Sequence, residues 1–481
     1  MNTIINKNTK SFKEFEKNIF NIICLIGESL TSYILEKWDD EINKNRDKKK
    51  YRNKGLRKTS IKTIYGEVTY RRRVYETEDG EGKNKYVYLL DEEMQVGKIG
   101  LISSNLAEKI VNAATENSYR AASELITETS GQSISAGGVW NLIQKIGQKI
   151  GEEEEGDVSL MKGNQTEGKE GIPVLFEEMD GVWLKMQDSH HKKTKKHEMK
   201  VFTMYKGWDE AKEKAGKSAL VGKIMLAGMD DSRDFHEKKE ACIRKHYDAD
   251  EIEQRVLGGD GGPWIRDPYD EEVIYQLDRF HIQQEIIRQI KDKEARTEIR
   301  RRLDEGKPDD MLDYIKAYAD SKAGSDENDT CSKNAMKLYS YLKNNYNGLL
   351  PYQKQGRKIP ESPDGIIYKN MGVQENQNCT VITLRMKHRR MRWSVKGADN
   401  LAKVLYKKEN NELRECVDRY LDKVVIGVDL KEALKEALSA ARAPKKDGKG
   451  NSYLDALRGH MQLIDSAMTP SRKAMLRAIL D

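Results

Sequence analysis

In Val174-Leu175-Phe176-Glu177-Glu178-Met179-Asp180-Gly181-Val182-Trp183 a β-rich apolar run carries the carboxylate of Asp180 beside a glycine. Further strands are predicted at Pro173–Asp180, Val182–Met186, Glu198–Tyr205 and Leu220–Ala227, after which helical and strand segments alternate. That alternation marks a mixed α/β domain. A second short strand, Arg255-Val256-Leu257-Gly258-Gly259-Asp260-Gly261-Gly262-Pro263-Trp264, ends at Asp260 among four glycines. Glycine admits close approach of backbone or substrate, and the C-terminal end of a strand is the usual ligand side of an open α/β sheet. Largely helical, charge-laced stretches follow over about 282–347, and then a proline-rich loop from Gly348 to Asp364. A third acid, Glu375 in Gly372-Val373-Gln374-Glu375-Asn376-Gln377-Asn378, precedes a run that ends in Arg385-Met386-Lys387-His388-Arg389-Arg390. The α/β domain is placed at 172–404 and a C-terminal helical region at 405–481.

Upstream, Phe12, Phe15, Ile19, Ile22, Ile23, Ile26, Leu30, Tyr33, Ile34 and Trp38 recur at three- and four-residue steps, which predicts an amphipathic helix within residues 1–50. A basic β-ribbon is assigned to 51–100: Thr63–Tyr70 alternates like a strand, ends in Arg71, Arg72 and Arg73, and faces a second strand at Lys85–Leu90 across a turn at Asp79–Gly82. Such a ribbon either lies along phosphates or is a solvated hairpin. In 101–152, Ser104 is placed as the cap of one helix, a second runs Tyr119–Ser130, Gly131 ends it, and Ser133 or Ser135 caps a third. This is the pattern of a helix-turn-helix, shared by small helical bundles. Residues 153–171, rich in Gly, Glu and Lys, are read as a linker.

Carboxylates delivered by separate strands suit hard cations, since Mg²⁺ takes oxygen ligands and keeps several waters. Two such ions can stabilise both the attacking and the leaving oxygen of an in-line displacement at phosphorus. Each acid alone has a plain structural reading: Asp-Gly as a turn, Gly-Asp-Gly-Gly as a loop, Glu375 as a helix cap. Their basic surroundings favour a phosphodiester: Lys192, Lys193, Lys195 and Lys196 after Asp180, and Arg385, Lys387, Arg389 and Arg390 after Glu375. Asp278 and His281 sit at a strand-to-helix junction, with Asp278 either a further ligand or a helix cap; supporting roles beside the carboxylates are assigned to both. The histidines His190, His191 and His197 lie in a lysine-filled loop that repels a dication. The glycines at 258–262 lack the spacing and the Lys-Ser/Thr ending of nucleotide-binding loops.

Over 481 residues, 85 Lys plus Arg against 79 Asp plus Glu give a net charge of +6, and 34% of the chain is charged. No uninterrupted apolar run approaches the ~18 residues of a spanning helix. The N-terminal apolar segment also lacks a signal peptide's flanks, so a cytoplasmic protein is expected. Five dispersed cysteines, with no CxxC pair, indicate neither a disulfide framework nor a thiolate zinc site.

The ordered series Met179-Asp180-Gly181-Val182-Trp183, Gly259-Asp260-Gly261-Gly262-Pro263-Trp264-Ile265, Leu277-Asp278-Arg279-Phe280-His281, Glu375, Arg385-Met386-Lys387, Trp393-Ser394 and Gly397-Ala398 resembles the ISLre-type insertion-sequence transposases, a Mutator-related group. The resemblance runs from about Thr63 to Val404. It implies a DDE transposase with a ribonuclease-H-like catalytic domain interrupted by a helical insertion. Two Mg²⁺ (or Mn²⁺) ions would be held by Asp180, Asp260 and Glu375, with Glu285 as a rival for the third acid. The implied partners are double-stranded DNA, as element ends and as target, and further copies of the chain, with no membrane. Two other readings are a DNA-binding regulator or inactive relic, and a ribonuclease-H-like nuclease without strand transfer.

Overall fold

A helix of 34 residues, α1 (Phe12–Asn45), opens the described chain, with Ser11 as its N-cap accepting from the Glu14 amide. This computed structural model describes residues 11–421 apart from 81, 95–101, 167, 169, 188–194, 266–271 and 325. Two units are distinguished, Met1–Leu142 with Glu415–Asp481, and Ile143–Arg414.

In the first unit, β1 (Arg52–Thr63), β2 (Gly66–Glu78) and β3 (Asn84–Val87) form an antiparallel sheet in that order, followed by α2 (Leu89–Glu93). The basic segment before Thr63 is therefore a full strand, and the ribbon has three strands. Residues Leu89 and Leu90, assigned by sequence to a strand, begin a helix instead. The C-terminal half of α1 packs on this sheet through Leu35 and Ile42, which share a core with Val68, Tyr70 and Leu90. Its N-terminal half leaves Phe12, Phe15, Ile19, Ile22, Ile23 and Ile26 exposed. By length and composition α1 could cross a membrane, because one 18-residue window averages a hydropathy of 1.4. The run itself is still interrupted by the polar Asn21 and Glu28, as the sequence reading has it; the window reaches that mean in spite of them.

Three helices follow, α3 (Ser104–Glu116), α4 (Tyr119–Thr129) and α5 (Ala136–Lys162). Serine hydroxyls satisfy their first amides: Ser103 accepts from Leu106 at 3.3 Å, Ser118 from Ala121 at 3.2 Å and Ser135 from Gly138 at 3.1 Å. The first cap is thus Ser103 rather than Ser104. The linker assigned to 153–171 is also corrected, since α5 runs on to Lys162 and only the residues after it are irregular. Lys149 and Glu152, three apart, pair at 2.6 Å on its polar face, and Glu154 is buried, accepting a hydrogen bond from Tyr406.

The second unit is built on a mixed sheet. Its strands, with short neighbours, are β4 (Val174–Lys185), β5 (Lys196–Tyr205), β6 (Gly207–Asp209), α6 (Glu210–Lys214), β7 (Leu220–Val221), β8 (Ile224–Gly228), α7 (Ser232–His246), β9 (Gln254–Gly259) and β10 (Ile274–Leu277). The five-stranded sheet has the order β10-β9-β4-β5-β8. The β10–β9 and β9–β4 pairings are parallel, and β4–β5 and β5–β8 antiparallel. Side chains alternate along β4. Val174 and Phe176 enter one core with Tyr205, Trp208, Val256 and Tyr352. On the other face, Glu177 meets Lys239 of α7.

Between β10 and the next strand lies the helical insertion, α8 (Arg279–Gln289), α9 (Lys293–Asp304), α10 (Pro308–Ser321) and α11 (Asp326–Asn344). It has its own core of Ile282, Ile286, Ile290, Ile299, Leu303, Met311, Ile315, Leu338 and Leu342. The chain returns through β11 (Ile366–Ile367), which pairs with β6. It then forms α12 (Gln374–Gln377), a π-helical turn at Asn378–Thr383, α13 (Leu384–Met386), α14 (Val395–Glu409) and α15 (Leu413–Leu421). Of the C-terminal helical region, the part beyond 421 lies outside the described residues.

Candidate active site

Parallel pairing of β4 with β9 ends at Met179 opposite Gly259. The next residue after each is an acid, so Asp180 and Asp260 come next to one another where that pairing stops. Asp180 is not at a strand end, however, because β4 continues to Lys185 along β5. Its Oδ1 accepts from the Gly181 amide at 2.7 Å and its Oδ2 from Asn378 Nδ2 at 2.6 Å. Asp260 Oδ1 accepts from the Gly262 amide at 2.8 Å. The turn that allows this needs Gly261 at φ +89, where a side chain would also strike Asn345.

The neighbouring strand delivers the next pair. Asp278 caps α8, its amide donating to Gly259 O at 2.8 Å and its Oδ1 accepting from Phe280 at 3.0 Å. One turn on, His281 Nε2 stands 3.7 Å from Asp180 Oδ2 and 3.7 Å from Asp278 Oδ2. Burial pulls the imidazolium down, but the hydrogen bond and charge of Asp180 with the charges of Asp278 and Asp260 push it up to about 9. Burial also raises the carboxyls of Asp260 and Asp278, and their acidic neighbours add to the rise. Like charges held this close disfavour ionisation of one another, and the His281 imidazolium offsets part of their charge.

Glu375 reaches the same place from α12. One ligand atom each of Asp180, His281 and Glu375 lies within 4.8 Å of the others, a group able to hold a metal ion. Asp260 stands outside that triplet, facing its own turn. Glu285, the rival third acid, accepts from Arg288 at 2.6 Å and Gln289 at 3.2 Å on α8 and is likewise outside it. Two carboxylates and an imidazole fit Mn²⁺ and similar ions well, and with Asp260 and Asp278 alongside the site is rich in the oxygen that Mg²⁺ demands.

Sequence reasoning missed three residues here. Glu198 on β5 covers Gly181, where an added Cβ would lie 2.1 Å from its Oε1. Its carboxyl is raised by burial and by Asp260 and Asp180. Asn378 and Glu178 were passed over because amide-rich and Glu-Glu dipeptides carry no motif. A parity argument would have found Glu178, two residues before Asp180 and hence on the same face.

The basic candidates divide. Arg72 is buried, 2.6 Å from Asp91 and stacked over Tyr88, and Arg73 is held by Asp39 at 2.6 Å and Asp40 at 2.7 Å. Arg385 is buried beneath Trp393. These three are corrected to internal partners, since acidic or aromatic neighbours hold their guanidinium groups. Arg71, Lys195, Lys196, Lys387 and Arg390 are exposed. Lys192 and Lys193 lie outside the described residues, as does the side chain of Arg389.

The model of the uncharacterised protein family UPF0236 matches residues 5–420. A UPF0236 protein of Caldanaerobacter subterraneus subsp. tengcongensis is 24% identical over 417 residues, 85% of this chain and 80% of its own, and its name joins eleven designations. A second from that organism, with four designations, is 24% identical over 81% of this chain and 76% of its own. A UPF0236 protein in the vanSb 3′ region of Streptococcus gallolyticus is 22% identical over 86% of each chain. With a match across nearly the whole described length, the chain belongs to the UPF0236 family.

Proposed function

We propose that this protein is a DDE-type transposase acting in the cytoplasm on the DNA ends of its own insertion sequence. The observation that carries the reading is the cluster of Asp180 on β4, His281 on α8 and Glu375 on α12, with Asp260 following β9 next to Asp180. The mixed five-stranded sheet, with acids on or just after two of its three inner strands, supports a ribonuclease-H-like domain. Eleven designations under one protein name in one organism fit a gene carried in many copies, as a mobile gene is.

In this reading Asp180, Asp260 and Glu375, with His281 beside them, would hold two Mg²⁺ or Mn²⁺ ions. When bound, these supply Lewis-acid activation of the attacking oxygen and stabilisation of the leaving one. In the first step a water oxygen bonds to phosphorus as the P–O3′ bond breaks, leaving a 3′ hydroxyl and a 5′ phosphate. In the second, that 3′ oxygen bonds to a target phosphorus as the target's own P–O3′ bond breaks, and the proton given up by the attacking oxygen is balanced by one taken up, through solvent, by the leaving 3′ oxygen. Asp278 and Asn378 keep His281 and Asp180 oriented throughout. Arg71, Lys195, Lys196, Lys387 and Arg390 remain as the exposed cations for phosphates, binding with little regard to sequence. Two ends handled together call for more than one copy, and the exposed face of α1 is the contact offered for it.

The test is a Mg²⁺-dependent cleavage and strand-transfer assay on labelled duplex carrying the element's terminus, with Asp180→Ala beside wild type. Joined product from wild type alone is expected. Binding without product in both would favour a regulator or relic, and cleavage without joining a nuclease.

A further inference from the structure

The helix bearing Glu375 is tied to the strand bearing Asp180 at two points. At the first, the Glu178 carboxylate is fully buried and accepts the Tyr205 hydroxyl at 2.6 Å. It also accepts the Gly372 amide at 3.1 Å, the Val373 amide at 2.9 Å and the Gln374 amide at 3.1 Å. The Val373 N-cap and Gln374 amides open the helix and the Gly372 amide leads into it, and all three are taken by one carboxylate on β4. Gly372 supplies the φ of +131 that turns its amide inward. At the second point, Asn378 Oδ1 accepts from Gln374 Nε2 at 3.0 Å, which leaves Nδ2 to donate to Asp180 Oδ2 at 2.6 Å. Asn378 also begins the π turn, a widened geometry often found at functional sites.

We propose that Glu178 and Asn378 are positioning residues, Glu178 setting the height of the Glu375 helix on β4 and Asn378 setting the rotation of the Asp180 carboxylate, so that the two acids converge on one divalent cation. The inference rests on the reading of Asp180 and Glu375 as metal ligands. Neither positioning residue needs to touch the ion. A carboxylate is required at 178, because each of its oxygens accepts from two of these amides, and glutamine would turn donor hydrogens toward one such pair. The arrangement differs from an ordinary cap in that its loss should be felt in metal affinity before it is felt in the fold.

The test uses the full chain as wild type, Glu178→Gln and Asn378→Ala. Mn²⁺ binding is followed by the electron-resonance signal of free Mn²⁺, and amide exchange is followed over 372–386. Asn378→Ala is expected to weaken Mn²⁺ binding by about 10- to 100-fold, the usual effect of losing an outer partner of a ligand. Its global unfolding midpoint and DNA binding should stay near wild type. Glu178→Gln should do the same and also speed exchange at 372–378 by at least about tenfold. Mn²⁺ affinity within about twofold of wild type in Asn378→Ala overturns the positioning role, and this variant decides the matter alone if Glu178→Gln does not fold. Absence of Mn²⁺ binding by wild type instead overturns the metal-site reading underneath.

Discussion

His281 stands among three carboxylates, those of Asp180, Asp260 and Asp278. An imidazole among Asp180, Asp260 and Asp278 adds a nitrogen to an otherwise oxygen donor set, and nitrogen favours Mn²⁺ over Mg²⁺. On the proposed reading, cleavage is therefore expected to run faster with Mn²⁺ than with Mg²⁺, and His281→Asn to narrow that ratio while slowing both by about 10- to 100-fold. Single-turnover rates with each ion decide it; equal rates in wild type and variant would remove His281 from the chemistry. At this scale the sequence was readable where a residue's neighbours were close in the chain. Asp180 and Asp260 announce themselves by glycines and strands. Glu375 stands out by its place ahead of a basic run, but nothing local says that residues 198 positions apart, such as Asp180 and Asn378, hydrogen-bond.

The elements show where periodicity misleads. The end of α5 is too charged to look packed, yet it stays helical through close charge pairs and the buried Glu154. The arginines ending the Thr63–Tyr70 run looked like a phosphate track, and two of them are instead taken up by Asp91, Asp39 and Asp40, acids supplied by helices α2 and α1. Behind the sheet, Arg255 meets Glu177 at 2.6 Å and Glu240 at 3.2 Å, and Lys239 meets Glu177 at 3.0 Å, all buried. Removing one partner leaves charge without compensation, so Arg255→Ala should cost about 3–5 kcal/mol in urea unfolding. A loss below ~1 kcal/mol would mean water enters this network. In the insertion, Ile286 is fully buried in the helical core. Ile286→Ala is expected to cost roughly 2–5 kcal/mol, read from the same denaturation curves.

For the whole molecule, the question is how many copies act together. The exposed apolar residues of α1 recur at 12, 15, 19, 22 and 26, steps of three and four that suit packing against another helix. Ile19→Asp with Ile23→Asp should reduce the mass measured by light scattering and abolish paired-end complexes while single-end binding persists; an unchanged mass would place the contact elsewhere. The order of parts along the chain has a consequence in time. Asp180 leaves the ribosome long before Glu375, with the whole insertion between them, so on the proposed reading a growing chain would bind DNA well before it could hold a cation at full strength. On the proposed reading, a gene copy cut short ahead of residue 375 would encode a competitor for element ends that never cleaves them, and an element spreading such copies would slow its own spread.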